Sequence, residues 1–223
     1  MKKSWAIALA ALAVVVIIAG VAWWETRPVP VAGLPGAPTT SASAAPSQVA
    51  ADEHVLGKIE APITIIEYAS LTCPHCAAFD REVLPRVKEG WIDTGKARLV
   101  YRDFPLDKSA LMASMVAACA PPDRYFGFLD VLFSQQGQWA QPGADPAPAL
   151  TRIAKLGGLS DAQVQSCLGN ESLQNKILSG QVAATKDLGV NSTPTFFING
   201  KKLVGAPTYD KFEEELRAAA PKS

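Results

Sequence analysis

"SLTCPHCAAF", Ser70–Phe79, sets Cys73 and Cys76 on either side of a Pro74-His75 pair. The residues before it, Ile63–Ala69, read ITIIEYA, a β-branched and mostly apolar run typical of a central strand covered on both faces. After it, Phe79, Val83 and Val87 recur at every fourth position, which predicts a helix to about Glu89. The cysteines therefore stand where a strand turns into a helix. A zinc site needs about four ligands, usually as two short-spaced clusters. Cys119, Cys167, His54 and His75 make no second such pair, so no metal is expected. Haem attachment needs a histidine directly after the second cysteine, and Ala77 stands there. A structural disulfide across so short a loop would restrain little chain entropy. What remains is a redox dithiol, which needs no cofactor.

The position suits that chemistry. Cys73 opens the helix, and Pro74 takes the first-turn position that proline tolerates. Unpaired N–H groups and the positive end of the helix dipole point at the Cys73 sulfur and lower its pKa. Cys76, one turn further in, lies on the same face and is expected to be more buried. His75 offers a donor or a charge near the sulfur; the alternative is a solvent-exposed first-turn residue. A stabilised thiolate stabilises the reduced form and makes the disulfide a stronger oxidant.

Working outward, Lys2 and Lys3 precede the uncharged run WAIALAALAVVVIIAGVAWW, Trp5–Trp24. As a helix it would be roughly 30 Å long, the thickness of a bilayer core, with tryptophans at both ends. Residues 1–27 are thus a signal anchor or a cleaved signal peptide. Gly20-Val21-Ala22 fits a cleavage site loosely but lies inside the apolar run, which favours the anchor. Either way the rest of the chain faces an oxidising compartment, the periplasm or cell surface. Residues 28–51, with five prolines and no charge, read as an extended linker. Lysine plus arginine balance aspartate plus glutamate, 21 against 21, so no nucleic-acid surface is expected.

The folded domain is expected from Asp52 to Ser223. Ala97–Phe104 reads as a second strand, with Tyr101, Arg102 and Asp103 taken as strand and surface residues without chemistry. The chain at about 107–188 is helical, broken at "APP", "QPGADPAP" and "GG". Ser160 with Gln163 makes a capping box. Thr195–Ile198 and Lys202–Val204 flank an Asn199-Gly200 turn, and Thr208 caps a last helix. The order implies a small α/β sheet with an all-helical insertion.

CPHC after IIEYAS, followed by YRDFPLD and NSTPTFFING, resembles the DsbA-like thiol–disulfide oxidoreductases from about Val55 to the C-terminus. The resemblance implies a thioredoxin fold with a helical insertion and an exported dithiol oxidase. It maps the attacking and resolving cysteines onto Cys73 and Cys76, and a cis-proline onto Pro194 after Thr193. The Thr193 backbone would pair with an extended substrate. It also maps a buried acid below the dithiol onto Glu67, for which an outward strand residue is the alternative. Cys119 and Cys167 lie 48 positions apart in the insertion. In an oxidising compartment an even cysteine count favours a second bridge between them; two buried free thiols are the alternative.

The expected activity is insertion of disulfides into reduced, cysteine-containing exported polypeptides. By resemblance, a membrane quinone-linked protein would reoxidise the dithiol. An isomerase or reductase on the same fold is the enzymatic alternative, and a membrane-tethered peptide-binding holdase the alternative of another class. No separate dimerisation domain is visible, so a monomer is expected.

Overall fold

All seven residues of β2 (Ile63–Ala69) are buried, as a run without polar alternation requires when both of its faces are covered. The structure, a computed structural model, describes residues 48–221. The apolar run at 5–24 and most of the linker lie outside the described residues. Among the described residues, no helix is long and apolar enough to cross a membrane.

β2 is the middle of a five-stranded sheet in the order β1 (Val55–Gly57), β3 (Ala97–Asp103), β2, β4 (Thr195–Ile198) and β5 (Lys201–Val204). It pairs in parallel with β3, Ile63 opposite Ala97 and Ala69 opposite Asp103. On its other side β4 runs antiparallel and continues into β5. Asn199 and Gly200 form that hairpin with φ of 45° and 86°, the left-handed pair that matches strand twist in a two-residue turn. Asn199 Oδ1 also accepts a hydrogen bond from the Thr64 N–H at 2.8 Å, fixing the hairpin to β2.

The parallel β2–β3 pair requires a crossover, supplied by α1 (Pro74–Glu82), α2 (Leu84–Val87) and a π-helical turn, Lys88–Ile92. The expected single helix to Glu89 is therefore interrupted at Val83. Pro85 has no N–H to donate to the Arg81 carbonyl, so the ladder breaks there. Burial survives the break: Phe79, Val83 and Val87 all face the core. Phe79, Phe196 and Phe212 form its centre, with ring centroids 4.5–5.1 Å apart. Phe212 comes from α9 (Tyr209–Ala219), whose first turn is capped by Thr208.

Between β3 and β4 lies the insertion: α3 (Lys108–Ala118), a 3-10 turn (Pro122–Arg124), α4 (Tyr125–Ser134), α5 (Gln136–Trp139), α6 (Ala147–Leu156), α7 (Asp161–Leu168) and α8 (Glu171–Leu188). Three of its breaks fall at the Pro- and Gly-rich stretches noted above, and two more fall at Gln135 and at Gly169-Asn170. Ser160 and Gln163 form the reciprocal capping box. Cys119 and Cys167 are joined by a disulfide, S–S 2.02 Å. Tyr125, Phe128, Leu129 and Leu132 pack into the insertion core, which also takes in Cys73 and Cys76. The opposite sheet face is covered by α8 through Ala184 and Leu188.

Three features differ from the sequence reading. β1 (Val55–Gly57), antiparallel to β3, was not anticipated; three residues carry no periodicity. Contacts begin before Asp52: the Gln48 carbonyl accepts from Arg102 Nη2 at 2.6 Å, and Arg102 Nε pairs with Glu53 at 2.6 Å. Lastly, Tyr101 and Asp103 are not surface residues. They project beneath the insertion, where Tyr101 donates to the Ala69 carbonyl and Ser114 donates to the Asp103 carboxylate. Burial pushes the Asp103 carboxyl up to about 6.

Candidate active site

Ser70–Cys73 is a turn closed by the Cys73 N–H on the Ser70 carbonyl, 3.0 Å. Cys73 is the N-cap of α1 with extended backbone (φ −77°, ψ 120°), and Pro74 follows in the first turn. The Cys73 carbonyl accepts the first helical bond, from Ala77 at 3.1 Å. Both sulfurs are free thiols, and what exposure the pair has belongs to Cys73: 5% against 0% for Cys76.

The two sulfurs differ sharply in acidity. The Cys73 thiol is lowered to about 5, chiefly by the hydrogen bond from the Cys76 thiol. Thr193 and the backbone N–H groups of Cys76 and His75 add to this, while burial opposes it. Burial drives the Cys76 thiol far up, and the neighbouring Cys73 and Glu67 push it further. One sulfur is thus a thiolate at neutral pH and the other a thiol.

His75 and Pro74 are exposed. Among the described residues the imidazole makes no hydrogen bond with either sulfur; the His75 backbone N–H is the group that favours the thiolate. The Thr193–Pro194 bond is cis. The Thr193 carbonyl accepts from the Cys73 thiol at 3.4 Å, and the buried Thr193 hydroxyl has no hydrogen-bond partner among the described residues. The dithiol, Thr193 and Pro194 come together although 120 positions separate Cys73 from Thr193.

Glu67, 3% exposed, lies inside rather than on the outer face of β2. It lines the floor of a cavity of about 590 Å³ between α1 and α4, together with Asp80 and Asp130. Burial holds its carboxyl well above the usual range, and the charges of Asp80 and Cys73 add to that. Asp80 is itself pushed up to about 7, by burial and by Asp130. An acid whose pKa rises on folding costs stability above its unfolded value of about 4.3 and costs nothing below it. Glu67→Gln, isosteric and uncharged, is therefore expected to stabilise the protein by about 1–3 kcal/mol at pH 7 and not at pH 4. Urea midpoints at the two pH values check this; an equal gain at both would contradict it.

Other residues of the site were not foreseen. Leu106 N–H donates to Ser70 Oγ at 3.3 Å, and Thr72 Oγ1 donates to Asp107 Oδ2 at 2.7 Å. Gln136 Nε2 donates to the Leu71 and Cys73 carbonyls at 2.8 and 3.1 Å. These bonds join the dithiol turn to the insertion. YRDFPLD held the signal for the first two. Nothing in the sequence marked Gln136.

A Thioredoxin family model matches residues 50–218. Wolbachia pipientis alpha-DsbA1 superimposes with a TM-score of 0.73 at 33% identity, over 77% of this chain and 92% of that one. The chain belongs to the DsbA-like branch of the thioredoxin superfamily. Disulfide bond formation protein D of Bacillus subtilis is 26% identical over 176 residues, covering 74% of this chain and 75% of that protein. A Rickettsia bellii protein named as a protein-disulfide oxidoreductase is 33% identical over 150 residues, 67% of this chain. The chain spans little more than half of that relative, 58%. The DsbA-like fold explains the insertion: it roofs the sheet end where the dithiol sits.

Proposed function

We propose that this chain is a thiol–disulfide oxidase that transfers the Cys73–Cys76 disulfide to reduced, cysteine-containing exported polypeptides. The observation that carries the reading is the asymmetry of the two sulfurs, a Cys73 that favours thiolate beside a buried Cys76 that favours thiol. A substrate thiolate attacks Cys73 Sγ of the disulfide; the Cys73–Cys76 bond breaks, and Cys76 leaves and takes up a proton. The second substrate thiol, as thiolate, then attacks the substrate sulfur of the mixed disulfide. Cys73 leaves as thiolate, two electrons having passed from substrate to enzyme. A leaving thiol of low pKa departs faster, so the second step is favoured by the groups that stabilise the Cys73 thiolate. Thr193 and Pro194 flank the attacked sulfur and supply backbone for an extended peptide. Glu67 tunes the pair from below.

The reading extends to residues outside the fold. Lys2 and Lys3 before an apolar run of twenty residues support export, with 1–27 as anchor or signal and 28–51 as spacer to a domain in the periplasm or at the cell surface. A membrane quinone-linked protein would return the dithiol to the disulfide. The test is a single turnover: oxidised full-length protein is mixed with a reduced peptide carrying two cysteines. Peptide disulfide should appear at one equivalent together with reduced Cys73 and Cys76. Oxidation no faster than with oxidised glutathione alone would overturn the reading.

A further inference from the structure

We propose that Gln136 is a positioning residue of the dithiol: its carboxamide, carried by the helical insertion, ties the Leu71 and Cys73 carbonyls together and so holds the start of α1 against the Cys73 sulfur. This rests on Cys73–Cys76 being the redox centre. The two acceptors lie 65 and 63 positions away in the chain, at 2.8 and 3.1 Å. The turn's other ties to the insertion grip Ser70 and Thr72. Among the described residues, Gln136 is the one side chain that holds the Leu71 and Cys73 carbonyls. Its own base is fixed. Trp139, at the far end of α5, is 1% exposed and donates Nε1–H to the Leu132 carbonyl at 2.8 Å.

The electrostatics give the contact a sign. Each carbonyl oxygen is the negative end of a peptide dipole, and two of them converge on one amide beside the sulfur. Without that donor the Leu71 carbonyl loses its partner and the Cys73 carbonyl keeps only the Ala77 N–H, so less of their negative charge is offset beside the thiolate. The N–H groups of His75 and Cys76 also lose the brace that keeps them directed at Cys73 Sγ. Both effects disfavour the thiolate and so the reduced form.

Gln136→Met keeps length and shape and removes both donors. It is expected to raise the Cys73 pKa by about half to one unit, a threefold to tenfold loss of thiolate at a given acidic pH. The disulfide should become a weaker oxidant in step. Gln136→Glu puts a carboxylate against two carbonyls, and the shift should be larger in the same direction. Thiolate absorbance titration and equilibration with glutathione read the two quantities. A contact that only supports the fold would lower the urea midpoint and leave both unchanged, and that result would overturn the proposal. If neither variant folds, the wild-type protein still decides: the Gln136 side-chain amide resonance should shift with the Cys73 titration, and an amide that does not move refutes the contact. Failure of peptide oxidation by the wild type, with the Gln136-dependent shift intact, would instead remove the oxidase reading alone.

Discussion

Cys73→Ser is expected to reduce disulfide transfer to the uncatalysed background, whereas Cys76→Ser should accumulate a mixed disulfide with substrate. Exchange requires a thiolate that is both nucleophile and leaving group, and serine supplies neither at neutral pH. Cys73 is the less buried cysteine of the pair and the one with the depressed pKa, so its loss ends the reaction at the first step. With serine at 76 the Cys73 thiolate remains but cannot be displaced by an internal partner. Reduced Cys76→Ser protein, given an oxidised peptide, should therefore be trapped as a covalent adduct sensitive to reductant. Mass spectrometry of the adduct separates the roles. An adduct on Cys76 in the Cys73→Ser protein, formed as fast as that on Cys73, would reverse the assignment.

The second large effect lies in the pH dependence of the reduced protein. Alkylation of Cys73 should reach half its plateau at a pH of about 5 and be flat by pH 7. A free cysteine with a pKa near 8.5 has about 300-fold less thiolate at pH 6 than such a group. Cys76 should stay unlabelled throughout, since burial and its neighbours keep it protonated. Stability follows with a defined sign. The Cys73 pKa falls from 9.0 to about 5 on folding, so ionisation stabilises the reduced state fully above pH 9 and progressively less below it. The contribution vanishes as the pH falls through 5. The oxidised protein has no such group, so the gap between reduced and oxidised urea midpoints should widen from pH 5 upward. A gap independent of pH would mean that Cys73 titrates alike in the folded and unfolded chains.

Features encoded by neighbouring residues were the ones legible in the sequence. The apolar run Ile63–Ala69 marked the central strand, Ser160 with Gln163 the start of α7, and Asn199-Gly200 the hairpin, because each depends on contacts within a few residues. The interruption at Val83 was equally local, since Pro85 removes one donor, but the four-residue repeat of Phe79, Val83 and Val87 masked it. Tyr101 and Asp103 were misplaced because strand alternation cannot say which face the insertion will cover. Gln136 lay beyond reach for a similar reason: its partners are more than sixty positions away and become neighbours only when the insertion folds back over β2. His75 attracted a side-chain role from its chemistry, yet the group turned towards the sulfur is its backbone N–H. That donor belongs to the helix start and not to the histidine.

The central claim is that the site stabilises the reduced dithiol and so makes its disulfide oxidising. Equilibration of the wild-type protein with glutathione buffers, read by alkylation of Cys73, measures this directly. The account predicts a potential nearer the value of about −120 mV that marks DsbA-type oxidants than the value of about −270 mV that marks thioredoxin. A dithiol as reducing as thioredoxin would contradict it.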